Sequence, residues 1–165
     1  MYRPGDLLVY GYHGVCRVCT LENMEIDGKS KPFLMLEPIY LQGAKLMIPS
    51  DNAAAMDKIT ALLPPEEIQQ ILASESVRNG QWEMQDTLRK RKQKDLLCGK
   101  DRRALITEIC TCYRRKKDLT AIGRRLRQSD ENFLSDAEKR ICGEIAAAMR
   151  IPMEEAFRYL REALQ

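Results

Sequence analysis

Glycine-punctuated β-forming runs fill the first fifty residues of this chain, and charged, helix-forming sequence fills most of the remainder. That change of period constrains the fold more than any single residue does, because a two-residue and a 3.6-residue repeat cannot share one element. Residues 6–10 (DLLVY) and 14–22 (GVCRVCTLE) are apolar, partly alternating runs separated by Gly11, Tyr12, His13 and Gly14. A second turn at Asp27-Gly28 precedes PFLMLEPI (32–39), and Gly43 precedes KLMIP (45–49). Glycine reaches positive φ without steric cost, which suits each of these connections to a hairpin. Short strands at this spacing predict a small, strongly bent sheet or barrel. Its core is too small to enclose an enzyme cleft.

Helix signals begin at PPEEIQQILAS (64–74), where Pro65 fits the first turn, Glu66 and Glu67 favour the positive end of the dipole, and Ile68, Ile71 and Leu72 form a stripe. Serines, Asn79 and Gly80 then break the pattern. A helix is predicted from about Gln81 to Leu97, opened by Trp82 and stopped by Gly99. The next, over 102–117, carries Leu105, Ile109 and Tyr113 along one edge and ends in four cations, and a short helix is expected over 118–127. Ser135 and Glu138 read as a capping box ahead of KRICGEIAAAM. Pro152 starts a final helix whose Met153, Phe157, Leu160 and Leu164 form an apolar face. The expected architecture is α+β in two domains: a small β-barrel over 1–62, a helix and linker over 63–80, and an all-α helical bundle over 81–165.

The net charge of +3 conceals an asymmetry. Residues 1–70 carry 6 Lys and Arg against 9 Asp and Glu, whereas residues 82–127 carry 15 against 6. A regional excess of +9 points to a nucleic-acid partner for the middle of the chain. The run Arg89, Lys90, Arg91, Lys92 and Lys94 wraps most of the way round a helix, so some of these cations face solvent or phosphate whichever side packs. Arg114 and Arg115 are weaker candidates, since cations at a helix C-terminus already complement its dipole. No stretch is long and apolar enough for a membrane span, and MYRPGD lacks the apolar segment of a signal peptide, so a cytoplasmic, nucleoid-associated protein is expected. Cys16-x-x-Cys19 lies in an apparent strand, where side chains three apart point to opposite faces. His13 has no serine or acid at a recognisable spacing and reads as a turn histidine. No enzyme, metal, cofactor or small-molecule substrate is expected; the rival reading is a thiol- or zinc-dependent enzyme using Cys16 and Cys19.

The stretch G-D-x-x-V-Y-x-x-H-G-V (Gly5, Asp6, Val9, Tyr10, His13, Gly14, Val15), followed by the I-P-x-x-N of Ile48, Pro49 and Asn52, resembles the N-terminal domain of the CarD/CdnL family of bacterial transcription regulators. The helical half is similar to that family's C-terminal domain through Trp82, through Leu96 and Gly99, and through the L-S-x-x-E-K-R of Leu134, Ser135, Glu138, Lys139 and Arg140. The resemblance implies a Tudor-like barrel that docks on the β subunit of RNA polymerase, with Met24, Lys45, Met47 and Pro49 at polymerase-facing positions. Met24 and Met47 stand where relatives often carry Arg or Lys. It further implies a helical domain that binds promoter DNA with little sequence preference, through Trp82, the 89–94 cations, Lys139 and Arg140. In the family the tryptophan is exposed and acts as a wedge at the upstream edge of the melted promoter. Residue type alone equally allows a core anchor at Trp82. This chain departs from the pattern after Trp82, where Glu83, Met84, Gln85 and Asp86 precede the first cation. A polymerase-independent architectural DNA binder is the alternative function.

Overall fold

The computed structural model describes residues 2–40 and 43–165, and the chain divides into two compact units, 1–62 and 63–165. In the first unit, alternation of apolar and polar residues produces an antiparallel sheet: β1 (Leu7–Tyr10), β2 (Gly14–Ile26), β3 (Lys29–Pro38), β4 (Leu46–Pro49) and β5 (Ile59–Thr60), in the order β4-β3-β2-β1-β5. The β1–β2 connection is a 3-10 turn, Gly11–His13, flanked by Gly11 at φ 45° and Gly14 at φ 72°. Asp27 (φ 51°) and Gly28 (φ 75°) make a two-residue turn with both central residues left-handed, the hairpin type favoured for Asp-Gly. β5 and the short helix α1 (Ala53–Met56), capped by the Asn52 side chain on the Ala55 amide, carry too little pattern to be read from sequence.

Leu8, Cys16, Val18, Leu34, Leu36, Ile48 and Ile59 converge in one cluster. Both edge strands contribute to it, through Ile48 and Ile59, which requires the sheet to curl as a barrel does. Each fully buried aliphatic side chain contributes about 1.5–3 kcal/mol. The β2–β3 register shifts between Val18 and Thr20, and β4 pairs only with Phe33 to Leu36 of β3. Beyond that point β2 and β3 continue to the Asp27-Gly28 turn as a two-stranded ribbon.

The second unit holds α2 (Pro65–Ala73), a 3-10 turn (Glu75–Arg78), α3 (Asp86–Cys98), α4 (Arg102–Ala121), α5 (Gln128–Met149) and α6 (Met153–Leu164). Ile68, Ile71, Leu72 and Val77, from the stretch read as helix and linker, are buried in the same cluster as Leu105, Ile109, Phe133, Ile141 and Leu160. Arg78 fastens this stretch by donating to the carbonyls of Leu72, Ser74 and Ala163.

Three helix boundaries differ from expectation, each for a local reason. α3 starts at Asp86, because residues 79–85 lie along α4 in a non-helical path that only glycine at position 80 allows. No helix forms over 118–127: α4 runs to Ala121 and ends in a Schellman turn, with Gly123 at φ 72° and the Arg124 amide donating to the Leu119 carbonyl. Ser135 does not cap a helix. It lies inside the continuous α5, whose buried stripe already includes Asp130, Phe133 and Leu134, and Glu138 turns to Tyr113 and Arg161 instead of capping.

Candidate functional site

The segment that leads into α3 is fixed at several points. A Cβ built on Gly80 would stand 2.2 Å from Thr111 Oγ1 and 2.8 Å from Thr107 Cγ2, so the backbone approaches α4 as only glycine permits. Arg114 donates to the Gly80 carbonyl, and Arg89 Nη1 donates to the Glu83 carbonyl at 2.9 Å. The Glu83 carboxylate accepts from the Gln85 amide at 3.0 Å. Trp82 is half-buried against the helical core, with the Arg89 and Arg115 guanidinium carbons 4.6 and 5.6 Å from its ring centroid. Both are within cation–π range. The indole is therefore partly a packed anchor, and its surroundings are cationic.

Arg89 explains why the segment holds this shape. It is 2% exposed and donates through Nε and Nη2 to Asp130 at 2.8 and 3.0 Å, and through Nη2 to Asp86 at 2.7 Å. Gln93 adds a bond to Asp130 at 3.1 Å. Burial works against the Arg89 charge, and the bonds to Asp130 and Asp86 outweigh it, leaving the pKa raised. Asp86 also pairs with Arg127, and its carboxyl is held below the ordinary value, chiefly by the Arg89 bond.

The cations named from sequence separate by environment. Lys90, Arg91, Lys94, Arg114 and Lys139 are exposed, as is Lys92, although its Nζ lies 3.2 Å from the buried Glu108. Arg115 is half-buried beside Trp82. Two leave the direct phosphate-contact set, because their guanidinium groups are occupied within the fold. Arg89 is held by the carboxylates just described. Arg140, 7% exposed, donates to the carbonyls of Leu96 (3.0 Å), Leu97 (2.6 Å) and Gly99 (2.5 Å), capping the C-terminus of α3 from α5. Sequence reading missed Asp86, Arg127 and Asp130. Asp130 lies 41 residues from Arg89, and no local spacing marks it.

On the sheet, strand pairing gathers the polymerase-facing candidates. Met47 pairs with Met35 and Pro49 with Phe33, while Met24 pairs with Lys31. Since residues two apart share a face, Met24, Met47 and Pro49 lie with Lys31, Phe33 and Met35 on the side opposite the core cluster. Lys45, exposed, immediately precedes β4. Met24 and Met47 are both exposed, and β4 is an edge strand. Phe33 and Met35 complete the surface and carried no sequence signal beyond apolarity.

Cys16 is buried in the cluster, and Cys19 lies 3.9 Å from Glu37, which pairs with the outward Arg17. The irregularity between Val18 and Thr20 does not bring the two thiols together, and burial pushes Cys16 up to about 12. Among the described residues no group of three or more His, Cys, Asp or Glu is placed to hold a metal ion. His13 meets the rings of Tyr10 and Tyr12 at 6.0 and 6.2 Å. No helix among the described residues is long and apolar enough to cross a membrane.

Residues 2–60 match the family model described as CarD-like/TRCF RID domain, an RNA-polymerase-interacting, non-enzymatic module of transcription-related proteins. No curated protein matches the chain.

Proposed function

We propose, from the premise that residues 2–60 belong to the CarD-like/TRCF RID domain family, that this chain regulates transcription by joining RNA polymerase to promoter DNA. That match is the observation that carries the reading. The sheet face with Met24, Met47, Pro49 and neighbouring Lys45 docks on the polymerase β subunit, and the β4 edge is open to strand addition. The helical unit contacts the DNA backbone through Lys90, Arg91, Lys92, Lys94, Arg114, Arg115 and Lys139, with the Trp82 segment as a wedge at the upstream edge of the bubble. An apolar wedge beside an opened base step lowers the energy of the junction, and neighbouring cations hold it in register. About 1.4 kcal/mol at that junction shifts the closed-to-open equilibrium tenfold without any catalytic step.

The test is the lifetime of promoter open complexes formed by bacterial RNA polymerase with the full chain. The wild-type protein is expected to lengthen it; Trp82→Ala should shorten it while leaving binding to polymerase intact. An unchanged lifetime with the wild-type protein present would refute the reading. The exposed methionines at positions 24 and 47 favour a second reading, a polymerase-independent architectural DNA binder. It requires DNA binding of undiminished strength and no measurable binding to polymerase.

A further inference from the structure

We propose that Met84, not the indole of Trp82, is the side chain that enters the opened base step, with Trp82 as the fixed backing behind it. The inference rests on the nucleic-acid reading above and names the group that makes the contact. Met84 is 70% exposed, the most exposed large apolar side chain among the described residues, and Leu88, one turn into α3, is 46% exposed. Apolar groups of this size on a charged surface call for a partner that offers an apolar slot.

The exposure of Met84 belongs to an ordered segment. Two residues before it the half-buried Trp82 packs on the helical core; the Glu83 carbonyl on one side is held by Arg89, and the Gln85 amide on the other by the Glu83 carboxylate. Met84 thus stands on a short ridge whose two ends are fixed, and little conformational entropy is lost when it inserts. The indole is less free to insert: one part of its surface lies against the core, and the Arg89 beside it is anchored on the 1%-exposed Asp130.

Charge selects the occupant. Exposed cations flank the ridge, with Arg114 bonded to Gly80 at its start, Arg127 paired with Asp86 at its end, and Lys90 and Arg91 following on α3. An apolar tip between cations fits a nucleic acid with an opened base step, where phosphates meet the charges and the unstacked step receives the methionine.

The experiment compares binding of the full chain to a fluorescein-labelled forked duplex and to a fully paired duplex of equal length. Met84→Ala should weaken fork binding about tenfold, as removal of a buried thioether side chain does, and leave the paired duplex unaffected. Met84→Leu should bind the fork normally, and emission from Trp82 should change little on binding. Equal fork binding by Met84→Ala overturns the proposal. So does strong quenching of Trp82 by the fork, which would make the indole the inserted group. A tenfold loss of polymerase binding by Met84→Ala without DNA also overturns it, by placing the side chain on protein. Failure of the wild-type protein to bind either probe at low salt refutes the nucleic-acid reading itself, and this proposal with it.

Discussion

Replacing Asp130 with alanine tests whether a buried ion pair sets the shape of the Trp82 segment. Asp130 accepts three bonds, two from Arg89 and one from Gln93. Its removal leaves the Arg89 guanidinium buried with only Asp86 and the Glu83 carbonyl. Breaking a buried pair by deleting one partner costs about 3–5 kcal/mol. The two surviving partners place this case near the lower end, about 3 kcal/mol. Trp82 is the single tryptophan and lies in the helical unit, so its fluorescence follows unfolding of that unit. With a urea m-value of about 1.5 kcal/mol/M, the midpoint should fall by about 2 M. Native emission should also shift, because Arg89 leaves the ring. The double change Arg89→Met with Asp130→Leu should recover most of the loss, since an apolar pair of similar volume replaces a buried ion pair at little cost. A midpoint shift below about 0.5 M for Asp130→Ala, or strict additivity of the two positions, would refute the reasoning.

Gly80→Ala should cost about 1–3 kcal/mol through overpacking against the stiff side chains of Thr107 and Thr111, and acrylamide should quench Trp82 more readily; unchanged quenching would mean that the segment does not depend on this approach. Arg140→Met should lower helical-unit stability by about 2–3 kcal/mol by uncapping α3, without changing DNA affinity of the folded protein, and Arg140→Lys should fail to restore it because an ammonium cannot span three carbonyls; urea titration with a DNA-binding assay checks both. Native protein at pH 8 should show one fast thiol toward a disulfide reagent, the exposed Cys98, with Cys19 slower and the buried Cys16, Cys110, Cys112 and Cys142 protected; labelling of Cys142, pushed up to about 12 by burial, at the Cys98 rate would contradict the packing.

What sequence reading recovered follows from the range of the forces involved. The β-rich and helical units were legible because period and glycine turns are local, and Asp27-Gly28 fell at the hairpin tip as its backbone preference requires. The start of α3 was not legible, since helix propensity over 81–85 favours continuation and only the contact of Gly80 with α4 opposes it. Arg89 and Arg140 looked like surface cations for the same reason: their partners, Asp130 and the last carbonyls of α3, lie about forty residues away in sequence. Gly123 stopped a helix that the composition of 118–127 would extend. Met84 escaped notice because apolar character alone does not distinguish an exposed tip from a core residue.

The two-stranded ribbon beyond β4 gives the sheet face unequal stiffness. Met47 sits on β4, paired to the curled sheet, whereas Met24 sits where only β2 and β3 support each other. Two-stranded ribbons twist over a wider range than multi-stranded sheets. A partner meeting this face therefore finds one anchor at a set position and a second on a compliant arm. Such a pair can seat on surfaces of differing curvature by bending the arm while the strand pairing of the sheet stays intact.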